Sequence, residues 1–157
     1  MRIAVYLRLG CMGSALLLAP TLAAAASCNI ANSEIYFGAY DPLNSQPRDT
    51  NATLQATCTG SAGENVSYTV GVTEVAGNTN FSLSNGTASL QYGLYLDAGR
   101  SQAWGNGLNG TTLIQDSFTL VSGSANRNYT VYGRIFGGQY TATPGTYVDQ
   151  LVITVSY

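Results

Sequence analysis

Five stretches of this chain place apolar residues at every second position, and that period dictates strands. Leu54, Ala56 and Cys58 alternate with Thr53, Gln55 and Thr57. Val66, Tyr68, Val70 and Val72 alternate with Ser67, Thr69, Gly71 and Thr73. The pattern returns at Leu90, Tyr92, Leu94 and Leu96, at Tyr129, Val131, Gly133 and Ile135, and at Leu151, Ile153, Val155 and Tyr157. Successive side chains of a strand point to opposite faces, so each run has one apolar and one small or polar side. Shorter candidates lie at 35–37, 81–83 and 118–121. Turn-forming pairs separate the runs: the stretch 60–63, then Gly77-Asn78, Asn85-Gly86, Asn106-Gly107, Asn109-Gly110, Gly137-Gly138 and Pro144-Gly145. No segment carries a helical period. Seven or eight short strands at this spacing predict an all-β chain, an antiparallel β-sandwich.

The first residues follow a different rule. Arg2 and Arg8 open a positive stretch, an apolar run continues to about Ala19, and Ala23, Ala24, Ala25 and Ala26 form a small-residue cleavage region. Residues 1–26 are expected to be a secretory signal peptide, which leaves 27–157 as one domain. The apolar run falls short of the roughly 20 residues that a membrane-spanning helix needs. Cys28 lies where a lipid-modified cysteine could sit, but Ala25, Ala26 and Ser27 lack the leucine usual before one. Without Arg2 and Arg8, four of six arginines remain against eight acids, a net charge of −4, and there is no Lys or His. No cationic cluster exists to displace the counterions of a nucleic acid or to hold an anionic membrane. An exported chain meets an oxidising compartment, so Cys28 and Cys58 are expected to pair as a structural disulfide.

The same residues exclude most catalysis. Without His, neither Ser–His nor Cys–His nucleophilic chemistry is available. Ligand-spaced clusters for a metal are missing, and no cofactor is implied. Asp97 and Asp116 could be cast as a glycosidase carboxylate pair. Asp97 followed by Arg100 reads more simply as a turn or an exposed ion pair. Trp104, the single tryptophan, sits among glycines with Leu108 nearby. Trp104, Leu108 and Leu43 are candidate adhesive loop residues, and for Trp104 the opposing reading is a buried loop anchor. Most of the tyrosines fall on or beside apolar strand positions, where half-buried sheet sites explain them.

Longer motifs carry a resemblance. Cys28, Phe37-Gly38, Tyr40-Asp41 and Cys58-Thr59 resemble the opening of the spore coat protein U domain. So does the run 90–97, which leads to Trp104-Gly105-Asn106-Gly107. The same holds for the run 131–135, Gly138-Gln139, the run 144–149 and the closing 152–157. The resemblance covers nearly all of 27–157. An Arg-Met pair found in many members is replaced by Ser84, Asn85 and Gly86.

The family resembles subunits of archaic chaperone–usher pili. It implies an immunoglobulin-like sandwich that lacks its last strand. A periplasmic chaperone lends a strand to the open groove, and a neighbouring subunit then replaces it. Partners implied are chaperone, usher and other subunits, with the periplasm and then the cell surface as location. In this reading the last strand, 148–157, borders the groove through Val148, Leu151, Ile153, Val155 and Tyr157. Only Ser27 would precede Cys28, too little to serve as a donor, so the chain is expected to sit at a fibre tip, as an adhesive or initiating subunit, or to stay outside a fibre. The competing expectation is a self-complete secreted coat or surface-binding module that folds without a chaperone.

Overall fold

The structure is a computed structural model that describes residues 25–31, 33–74 and 80–157. Most of the expected signal peptide and the Gly77-Asn78 turn lie outside the described residues. Eight strands follow in order: β1 Ser27–Ile30, β2 Arg48–Thr59, β3 Asn65–Glu74, β4 Phe81–Ser84, β5 Ser89–Tyr95, β6 Ile114–Thr119, β7 Ser124–Ile135 and β8 Leu151–Ser156. The described residues contain no helix. One sheet has the order β1-β2-β7-β5-β4 and the other β6-β3-β8, with every pairing antiparallel. The all-β sandwich read from the alternation is the observed fold.

The periodicity sets the register. The β2 residues Leu54, Ala56 and Cys58 face inward with Val131 and Ile135 of β7, and Val66, Tyr68, Val70 and Val72 of β3 close over them. Two short candidates need correction. The run at 118–121 is not a strand of its own. β6 ends at Thr119, Leu120 turns into the core, and Val121 is exposed. The stretch 35–37 is extended but forms no ladder. Side chains hold it along β2 instead: Ser33 Oγ donates to the Thr53 carbonyl (3.3 Å), Thr50 Oγ1 to the Tyr36 carbonyl (2.9 Å) and Arg48 Nε to the Phe37 carbonyl (2.8 Å).

Between β5 and β6 the chain ties the two sheets together. The Trp104 amide donates to the Leu94 carbonyl of β5 (2.8 Å), and the Gly105 carbonyl accepts from Val72 of β3 (3.0 Å). Gly71 makes this approach possible, since a Cβ there would lie 3.2 Å from the Gly105 carbonyl oxygen and 2.9 Å from Leu113.

Cys28 and Cys58 stand opposite each other in the β1–β2 ladder and are joined by a disulfide. The bond closes a 30-residue separation. Replacing both cysteines by alanine is expected to cost about 3–4 kcal/mol on the chain-entropy estimate. Urea unfolding of the double variant against the oxidised parent measures this. A loss under about 1 kcal/mol would show that β1 is held by its ladder and packing alone.

A groove beside the last strand

The final strand is an edge. β8 pairs with β3 and with no other described strand, so half of its main-chain N–H and C=O groups face away from the ladder. Its inward residues are Leu151, Ile153 and Val155, and all three are only half-buried, whereas the inward residues of β3 are 0–3 % exposed. Both strands alternate in the same sense within one sheet. The difference is that no described strand pairs with the far side of β8.

A groove of about 490 Å³ opens there. Leu54 and Val131 form its floor, the 33–37 segment one lip, and 146–149 with β8 the other. The first lip makes no main-chain to main-chain hydrogen bond with β2 among the described residues, its Tyr36 and Phe37 carbonyls being taken by the Thr50 and Arg48 side chains, and the second carries the unpaired edge of β8. The second lip is fixed at its upstream end. Val148 and Ser84 exchange backbone hydrogen bonds of 2.8 and 2.9 Å, and the Tyr147 hydroxyl both donates to the Thr143 carbonyl and accepts from the Thr143 amide. Asp149 accepts the Tyr92 hydroxyl proton at 2.7 Å. Burial, reinforced by that carboxylate, pushes the Tyr92 hydroxyl well above its ordinary range, so it stays a donor. At the other end, the Tyr157 hydroxyl donates to the Cys28 carbonyl (3.1 Å), drawing β8 toward β1.

Of the residues expected on the last strand, Val148, Leu151 and Ile153 line the groove, while Val155 and Tyr157 lie beyond it. Val148 precedes β8 rather than belonging to it, because its backbone bonds Ser84 of β4. The opposite lip and the floor were missed as site residues. Their signals were the alternation at 35–37 and the small Ala52 before Leu54, which identify strands but not which of them meet.

The adhesive candidates separate. Trp104 is 2 % exposed and its indole Nε1 donates to the Val70 carbonyl at 3.1 Å, so it anchors the loop and offers no face to a surface. Leu43 and Leu108 are exposed, at 77 % and 62 %. Asp97 accepts amide protons from Ser101 and Gln102, which hold its carboxyl below the usual range and close its own turn. Arg100 pairs with Asp49 instead of Asp97. Asp116 accepts the Tyr129 hydroxyl (2.7 Å) and lies 3.4 Å from Arg127. Asp97 and Asp116 are thus each engaged with separate partners. The described residues hold no cluster of three potential metal ligands, and no described helix is long and apolar enough to cross a membrane.

Comparison with known proteins adds two findings. A family model described as the Spore Coat Protein U domain matches residues 14–154. Among solved structures, the chain is similar to the crystal structure of the CsuC-CsuE chaperone-tip adhesion subunit pre-assembly complex from archaic chaperone-usher Csu pili of Acinetobacter baumannii. The TM-score is 0.54 at 18 % identity over 84 % of this chain, and the match spans 40 % of the solved chain. No curated protein matches significantly.

Proposed function

Because the chain belongs to the Spore Coat Protein U domain family, we propose that it is an exported, non-enzymatic subunit of a chaperone–usher-type pilus, completed by a donor strand. The observation that carries this reading is the half-covered inner face of β8, whose outer edge no described strand pairs, beside an open groove. An extended segment laid there would pair with the main chain of β8 and set alternate side chains against Leu54, Val131, Leu151 and Ile153. In strand addition, main-chain bonds supply affinity and the side-chain pockets supply specificity. A periplasmic chaperone lends the segment first and a neighbouring subunit follows at the usher. Residues 1–26 act as the export signal, and 27–157 form the sandwich. Leu43 and Leu108, exposed on loops, are the residues through which a tip subunit would meet a surface.

The test is expression of the full chain, untagged at its C-terminus, in a periplasm with and without a co-expressed pilus chaperone. Loss or aggregation without the chaperone, reversed by co-expression or by an added donor peptide, is the expected result. A soluble monomer with a sharp thermal transition and no partner would replace this reading with a self-complete secreted module.

A further inference from the structure

The five-stranded sheet turns its other face to solvent, away from the groove, and that face carries a built feature. Along β5, Leu90, Tyr92 and Leu94 are buried, so Gln91, Gly93 and Tyr95 point outward. The Tyr95 side chain folds back over Gly93. A Cβ at Gly93 would meet the Tyr95 hydroxyl oxygen at 2.6 Å and ring carbons at 2.9 Å. The ring therefore lies against the strand, and Tyr95 remains partly exposed. A depression of about 230 Å³ opens beside it, with Gln91, Gly93, Tyr95 and the partly exposed Phe136 on its outer rim and the buried Phe81, Leu94 and Trp104 toward its base. The Gln91 backbone is bonded to Gln139, but its side-chain amide has no partner among the described residues.

Charged groups flank the ring in a fixed arrangement. Arg134 stands opposite Gly93 in the ladder and grips Asp49 with two bonds of 2.7 and 2.8 Å. Arg100 approaches the same carboxylate at 3.3 Å, and its guanidinium lies 6.0 Å from the ring centre of Tyr132, the cross-strand partner of Tyr95. Beyond them the face is uncharged for several residues. Thr53, Gln55 and Thr57 stand beside Asn126, Asn128 and Thr130, with side-chain bonds from Gln55 to Asn128 (3.2 Å) and from Thr57 to Asn126 (2.9 Å).

We propose that this depression binds one ring of a neutral saccharide, stacked on the outward face of Tyr95. A sugar presents an apolar C–H face with a rim of hydroxyls that donate and accept. A flat tyrosine, apolar in body and polar at its tip, matches the first. A free amide and an arginine–carboxylate pair, with donors and acceptors held in a plane, match the second. The volume is below the roughly 300–1,000 Å³ of pockets that enclose a whole drug-sized ligand, which fits a single ring with the rest of the glycan running over the face. The amide and hydroxyl rows of β2 and β7 continue that face without a net charge to repel or select.

The test is a printed panel of neutral oligosaccharides built on glucose, galactose, mannose and N-acetylglucosamine, probed with the full chain as it accumulates, with any bound chaperone. The best-retained sugar is then titrated. Saturable binding is expected, weakened roughly tenfold or more in Tyr95→Ala and roughly fivefold in Phe136→Ala by loss of stacking surface. Tyr95→Phe keeps the ring and should stay within about twofold. Val121→Ala, on the exposed β6–β7 turn, should leave binding unchanged. If Tyr95→Ala fails to fold, Phe136→Ala and Gln91→Ala carry the test, both being solvent-exposed. Retention of no sugar, or binding indifferent to these three positions, would overturn the proposal. Gln91, Tyr95 and Phe136 do not line the groove beside β8, so neither result bears on it.

Discussion

Replacing Trp104 with alanine is expected to cost about 3–5 kcal/mol of stability, the range for truncating a large buried aromatic. The indole is 2 % exposed where the two sheets are joined by backbone bonds on either side of it. Its removal leaves a void between β3 and β5. It also leaves the Val70 carbonyl without the Nε1 donor, and an unsatisfied buried acceptor adds about 1–3 kcal/mol of penalty. Trp104→Phe separates the two effects: it keeps most of the packing and loses the hydrogen bond, so it should fall between parent and alanine. Urea denaturation followed by far-UV circular dichroism reads all three proteins. A Trp104→Ala variant as stable as the parent but unable to attach to surfaces would return the residue to an adhesive role and contradict the buried geometry.

The fold was legible because its signal is local. Leu54, Ala56 and Cys58, or Val66 through Val72, declare a half-buried strand without reference to anything distant, and β2, β3, β5, β7 and β8 lie where the alternation puts them. Edges were harder. The stretch 118–121 reads as a strand by composition, yet the ladder with β3 ends at Thr119 because Leu120 turns inward and its amide bonds Glu64. The stretch 35–37 alternates like a strand but takes its bonds from Ser33, Thr50 and Arg48 side chains, a choice that only the tertiary arrangement makes. The groove follows the same logic. That Leu151, Ile153 and Val155 form one apolar face was evident from their spacing. That β8 ends as an edge, and that Ile35 faces it across Leu54 and Val131, depends on strand order, which periodicity does not encode. The saccharide platform was equally hidden, because Gly93 and Tyr95 become a surface only once the ring lies over the glycine.

Two neighbouring residues on β8 give the sharpest test of the groove. Ile153 stands opposite Val72 and faces inward, lining the groove; Val152 stands opposite Thr73 and faces solvent. Ile153→Asp places a carboxylate where a donor's apolar side chain would pack, and burying a charge without a partner is costly. Retention of the chaperone or of a donor peptide is expected to fall by about a hundredfold or more, equivalent to roughly 2.7 kcal/mol. Val152→Asp adds the same charge one residue away, on the outer face, and is expected to stay within about threefold of the parent. Ile153→Ala serves as the folding control, since it trims the wall without adding charge. Net charge, overall hydrophobicity and distance along the chain are nearly the same for the two aspartates. A partner that recognised β8 merely as a sticky edge would respond to both alike. Only a strand seated in the groove, with side chains alternating in step with β8, distinguishes position 153 from position 152, so equal effects at the two positions would rule out strand insertion there.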